Sequence, residues 1–149
     1  MKIEEEIKQK RFNSEFQKAA LNIKVTASWV SSMINATLKP YAISQEQYNV
    51  LRILRGQHPR PSTLGLITER MVDKMSNATR LVEKLRKAGL VTREVCPTNR
   101  RKVNILITEK GLELLSRIDP VIDEALDSSK NLSDEELRQL NELLDKMRC

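Results

Sequence analysis

Between Ser62 and Gly111 a helix pair runs without a gap into two β-rich segments joined by Cys96-Pro97-Thr98-Asn99-Arg100-Arg101, an order that few folds accommodate. The second helix is the clearest element. Ser76 is placed as its N-cap, Ala78, Leu81, Val82, Leu85 and Ala88 recur on one apolar face, and Gly89 stands at the C′ position. The opposite face carries Asn77, Arg80, Glu83, Lys84 and Lys87. Leu90 to Val95 alternates weakly and Val103 to Ile107 is β-branched, so the two form a hairpin, with Arg100, Arg101 and Lys102 expected to project from its tip.

This order predicts a winged helix-turn-helix: a mainly α (α+β) fold with a two-stranded β-wing. Asn and Arg side chains can make bidentate contacts to adenine and guanine, and Asn77 and Arg80 fall in the first turns of the helix, the part that reaches base edges. Ser76, Thr79 and Lys84 belong to the same expected DNA surface. Arg100, Arg101 and Lys102 are placed at the level of the phosphates or the minor groove, where cations release condensed counterions. The plainer alternative is a solvated helix face beside a charged hairpin tip that blunts a sheet edge.

Five segments, in order and spacing, resemble the successive motifs of the MarR (multiple antibiotic resistance regulator) family. They are Tyr48-Asn49-Val50-Leu51-Arg52, Ile67-Thr68-Glu69-Arg70-Met71, Ser76 to Gly89 with Leu90-Val91, Asn99-Arg100-Arg101, and Ile107-Thr108-Glu109-Lys110-Gly111. The resemblance implies a homodimeric winged-helix transcription factor, usually a repressor. Its terminal helices would form the dimer interface, and a small ligand or oxidation would lower its DNA affinity. Two positions depart from the pattern: Ile67-Thr68 replaces Leu-Ala, and Asn99 stands where the wing commonly has Asp. A neutral amide holds Arg101 less firmly than a carboxylate does. The implied ligand site lies between the dimer helices and the winged region. Trp29, Met33, Tyr41 and Tyr48 are its apolar and aromatic candidates, although core packing explains them equally well.

The 149 residues suffice for one domain with a sizeable core, and the net charge of +6 favours a polyanionic partner. Distribution says more than the sum. Lys74, Arg80, Lys84, Arg86, Lys87, Arg93, Arg100, Arg101 and Lys102 crowd one region, whereas Glu4-Glu5-Glu6 and Asp134-Glu135-Glu136 mark the ends. Aromatic residues make up only 3%, few for the base stacking on which readers of RNA and single strands rely. An enzyme finds little support: His58 is the one histidine, the four glycines form no phosphate-cradling loop, and no cofactor or metal is expected. A cytoplasmic protein with no membrane partner is expected, since no apolar run approaches the ~18 residues that a span requires. Cys96 and Cys149 are then free thiols.

The rest of the chain reads as helix. An apolar stripe runs from Ile7 through Phe12, Phe16, Ala19, Ile23, Ala27, Val30 and Ile34 to a stop at Pro40, and Ser44-Gln45-Glu46-Gln47 is a capping box. Thr108 caps a helix carrying Leu112, Leu115, Ile118, Ile122 and Ala125. Ser133-Asp134-Glu135-Glu136 opens the last one, with Leu140, Leu143, Leu144 and Met147. Such stripes at both ends need covering. The expected single domain, 1–149, therefore divides into dimerisation helices at 1–39 and 109–149 and a DNA-binding region at 43–108. A second copy would present paired recognition helices to a pseudo-palindromic operator, and a monomeric bundle is the competing arrangement. Two other functions stay open: a non-specific architectural DNA-binding protein, and a redox-sensing regulator acting through Cys96, whose neighbours Arg93, Arg100 and Arg101 favour the thiolate.

Overall fold

The computed structural model describes the backbone of residues 1–149 and every side chain except those of Arg100 and Arg101, so the contacts expected of these two lie outside the described residues. A short helix α1 (Ile3–Glu6) precedes α2 (Glu15–Leu38), and the continuous N-terminal helix expected from Ile7 is interrupted. Lys8 adopts a φ of 54°, and a new cap forms downstream. Ser14 Oγ accepts from the Gln17 N–H at 3.1 Å while Gln17 Oε1 accepts from the Asn13 N–H at 2.7 Å. This reciprocal pair satisfies donors at a fresh helix start, which leaves Ile7 and Phe12 outside α2. A 3-10 turn, Lys39–Tyr41, contains Pro40 and ends α2.

Helix α3 (Gln45–Gln57) opens on the expected capping box, Ser44 Oγ with the Gln47 N–H at 3.1 Å and Gln47 Oε1 with the Ser44 N–H at 2.8 Å. Helices α4 (Leu64–Arg70) and α5 (Ala78–Lys87) follow. The cap of α5 differs from expectation by one residue: Asn77, not Ser76, is the N-cap, and its Oδ1 accepts from the Arg80 N–H at 3.0 Å. The Ser76 hydroxyl is instead buried, without a hydrogen-bond partner among the described residues. Gly89 ends α5 at φ 74°, the left-handed conformation expected at C′.

Strands β1 (Val91–Cys96) and β2 (Asn99–Ile107) pair antiparallel. The register slips at Val95/Cys96, because Val95 faces Val103 while Cys96 faces Asn99, and β2 takes up the intervening 100–102 as a bulge. The hairpin is therefore tighter than expected. Its turn is Pro97-Thr98, and Arg100, Arg101 and Lys102 belong to β2 rather than to the tip. Ser62 adds a bridge on the other side of β2, exchanging hydrogen bonds with Ile105 at 2.8 Å in both directions.

Helices α6 (Glu109–Ser129) and α7 (Asp134–Met147) complete the chain. Thr108 caps α6 and ties it to the end of α5, its Oγ1 accepting from the Gly111 N–H at 3.1 Å and donating to the Gly89 carbonyl at 2.8 Å. At Gly111 a Cβ would lie 2.4 Å from the Leu90 carbonyl oxygen and 2.6 Å from Ile107 Cγ1, so only glycine lets α6 start this close to the wing. The first half of α6 enters the core through Leu114, Leu115, Ile118 and Ile122, packed with Val50, Leu51, Leu54, Ile67, Leu85 and Ile105. The terminal helices remain largely uncovered. Leu38 is the buried residue of α2, α7 has none, and Phe16, Trp29 and Leu143 are 69%, 52% and 64% exposed.

Candidate nucleic-acid interface and a neighbouring cavity

The outer face of α5 follows from its sequence: Ala78, Val82 and Leu85 face the core, which turns the intervening polar side chains outward. Asn77, Thr79, Arg80, Glu83, Lys84 and Lys87 line a solvent-open groove of about 510 Å³. Four of the residues nominated from sequence, Asn77, Thr79, Arg80 and Lys84, thus come together; the Ser76 hydroxyl does not join them. The one carboxylate in the groove is engaged. Arg86 Nη2 and Nε donate to Glu83 at 2.7 and 3.0 Å, and this hydrogen bonding holds the Glu83 carboxyl below its ordinary pKa. Arg80, Lys84 and Lys87 make no ion pair among the described residues, so the groove presents cations. Asn77 has a divided role: its Oδ1 is committed to the cap, leaving its amide N–H groups to face outward.

On the wing, Lys102 is exposed. The Cys96 thiol stands 3.2 Å from Thr98 Oγ1 and is drawn below its ordinary pKa, first by that hydroxyl, then by the Thr98 and Asn99 backbone N–H groups, with a contribution from the Lys102 cation. Cys149 lies at the far end of the chain, its thiol on the Asp145 carbonyl at 3.3 Å.

A second, mostly apolar cavity of about 590 Å³ opens between α2, α3, α7 and the turn after α4. From α2 come Ile23, Ala27, Val30 and Ile34; Leu140 and Leu144 come from α7. The polar lining is concentrated on α3, where Gln45, Tyr48, Asn49 and Arg52 recur at i, i+3, i+4 and i+7. Of the four ligand candidates chosen by residue type, Tyr48 alone lines this cavity. Trp29 is exposed, Met33 meets the Ser129 hydroxyl at 3.1 Å between α2 and α6, and Tyr41 packs on the core from the 3-10 turn. Sequence reasoning missed Asn49 and Arg52. The helical spacing on α3 was the available signal.

Tyr48 also joins the cavity wall to α6. Its hydroxyl donates to Asp119 Oδ1 at 2.6 Å, and the Arg55 guanidinium pairs with Asp119 Oδ2. Burial, followed by the neighbouring carboxylate, pushes the Tyr48 pKa up to about 12. Burial works against ionisation of Asp119, but the Tyr48 hydroxyl and Arg55 prevail and hold its carboxyl below the ordinary value. Among the described residues, no helix is long and apolar enough to cross a membrane.

Residues 43–103 match the model of the MarR family. Among solved structures, a MarR transcription factor from Planctomyces limnophilus is 31% identical, covers 91% of this chain and 98% of its own, and superposes with a TM-score of 0.70. The Bordetella bronchiseptica regulator BpsR, whose DNA binding is regulated by 6-hydroxynicotinic acid, is 20% identical over 89% of this chain and 99% of its own, with a TM-score of 0.79. A MarR family regulator from Streptomyces coelicolor, determined in complex with DNA, is 22% identical over 94% of this chain and 90% of its own, with a TM-score of 0.77.

Proposed function

The chain belongs to the MarR family of transcription regulators, and from that premise we propose that it is a homodimeric, sequence-specific DNA-binding repressor, released from its operator by a small ligand. The observation that carries this reading is the convergence of Asn77, Thr79, Arg80 and Lys84 on one open, cationic groove of α5. Arg80 and Asn77 read base edges, and Lys84 and Lys87 sit on phosphates. Arg100, Arg101 and Lys102 supply the wing's charge to the backbone or the minor groove. The Streptomyces coelicolor relative bound to DNA supports this role.

Two further observations support the rest. The uncovered apolar side chains of α2 and α7, such as Phe16, Trp29 and Leu143, suit a second copy of the chain, with 1–39 and 109–149 as dimerisation segments around a DNA-binding region at 43–108. The cavity between α2, α3 and α7 suits an effector, as does the response of the Bordetella relative to 6-hydroxynicotinic acid. A redox reading rests on the lowered pKa of Cys96 beside the wing turn.

The test is selection from random duplexes followed by competition. A pseudo-palindrome with half-sites about one helical turn apart should emerge, and it should be preferred over bulk DNA by roughly 10³-fold or more at physiological salt. An architectural protein would show no such preference. Light scattering should give twice the 17.2 kDa chain mass. Loss of operator affinity on mild peroxide in the wild type but not in Cys96→Ser would select the redox reading instead.

A further inference from the structure

The turn that leads into α5, residues 71–77, is held by its own atoms and by the end of α4. Met75 N–H donates to Asp73 Oδ1 at 2.9 Å, Ser76 N–H donates to the Asp73 carbonyl at 3.2 Å, and the Lys74 ammonium caps the Glu69 carbonyl. Among the described residues, one hydrogen bond ties the turn to an element other than its flanking helices α4 and α5. The Val72 N–H donates to Asn49 Oδ1 on α3, 23 residues away, at 3.0 Å. Asn49 is also a wall of the cavity, as are Val72 and Asp73 themselves. Its amide nitrogen has no hydrogen-bond partner among the described residues, and Arg52 stands one helical turn further along the same wall.

The bond is poorly placed for stabilising the fold. Val72 is 88% exposed, so water can replace Asn49 at its N–H with little loss. What water cannot replace is the fixed distance between α3 and the turn. Asp73, held next to Val72, in turn sets Met75 and Ser76, and Ser76 leads directly into the Asn77 cap of α5.

We propose that Asn49 is the positioning residue through which the cavity acts on the recognition helix: its carbonyl holds the turn before α5, and its amide nitrogen meets whatever occupies the cavity. This rests on the reading of α5 as a DNA-recognition helix. An occupant that draws the Asn49 amide toward itself loosens Val72 and lets α5 leave its DNA-competent pose, whereas an empty cavity leaves the turn fixed.

The experiment uses the intact protein, its selected operator and a random duplex. Asn49→Ala should lower the operator-to-random preference by about tenfold, within the range by which residues linking two sites modulate their coupling, with the salt dependence unchanged. Asn49→Asp keeps an acceptor for the Val72 N–H and should restore most of the preference. A merely structural role would lower the unfolding midpoint of both variants and leave the preference alone, because that ratio does not depend on the folded fraction. The cavity arm uses Ala27→Glu, with Thr26→Glu as a second variant, so that the space permanently holds a hydrogen-bond acceptor for the Asn49 amide. Either should weaken operator binding in the wild type and have no further effect in the Asn49→Ala background. Full preference in Asn49→Ala, or equal weakening by the cavity substitutions in both backgrounds, overturns the proposal. A wild type that does not prefer any operator overturns instead the DNA reading on which it rests.

Discussion

Asn77 carries two jobs that substitution can separate. Its Oδ1 caps α5 through the Arg80 N–H at 3.0 Å, while Asn77 also lines the groove proposed to meet DNA. Asn77→Ser keeps an oxygen at cap distance but removes the reach of the amide; Asn77→Ala removes both. Loss of such a cap costs about 0.5–2 kcal/mol, whereas exchange between good capping residues costs only a few tenths. For a domain of this size, each kcal/mol moves the thermal midpoint by about 2–4 °C. Asn77→Ala should therefore unfold roughly 3 °C lower and Asn77→Ser close to the wild type. In binding, both should lose the base contact, about 1–3 kcal/mol of discrimination at one position of the operator. The assays are a thermal melt at fixed protein concentration and competition between the operator and single-position variants. If Asn77→Ser melted as low as Asn77→Ala, the cap assignment would be wrong. If Asn77→Ser read the operator as well as the wild type, Asn77 would be a cap and nothing more.

Three other outcomes are expected. Gly111→Ala forces a Cβ to 2.4 Å from the Leu90 carbonyl oxygen. The overpacking, about 1–3 kcal/mol, should exceed the roughly 1 kcal/mol of helix propensity gained, so a denaturation midpoint at or above the wild type would refute the close approach. Lys84→Ala should reduce the slope of log affinity against log salt by about two units, one from each copy in the dimer, on operator and random DNA alike; a loss confined to the operator would make it a base contact. Tyr48→Phe removes the hydrogen bond to Asp119 and should cost about 1.5 kcal/mol at neutral pH. Because the folded state keeps the Tyr48 proton up to about 12 while the unfolded chain loses it near the ordinary tyrosine value of 10.0, the stability due to this group is complete below pH 10 and declines between pH 10 and 12. The gap between wild type and Tyr48→Phe in urea unfolding should narrow over that interval, and a constant or widening gap would contradict it.

Much of the fold was legible because its signals act over a few residues. The capping boxes at Ser44 and Ser133, the Thr108 cap and the left-handed Gly89 bring together atoms one turn apart, so residue type and spacing determine them. The apolar and basic faces of α5 are equally local, and with them most of the groove. Where neighbouring residues could do the same job, only tertiary packing chose between them. Ser76 and Asn77 can both cap, and the burial of the Ser76 hydroxyl left the role to Asn77. The apolar stripe continued through Phe12, yet the chain restarted its helix at Ser14. The wing cations moved from the tip into β2 because cross-strand pairing of Val95 with Val103 and of Cys96 with Asn99 sets the bulge. The cavity was least legible. Residue type nominated Trp29, Met33, Tyr41 and Tyr48, but a cavity is the space left between separate elements, and only Tyr48 proved to face it, beside Asn49 and Arg52. The bond from Asn49 to Val72 spans 23 residues and exists because α3 and the turn before α5 are packed side by side, a proximity that no local periodicity encodes.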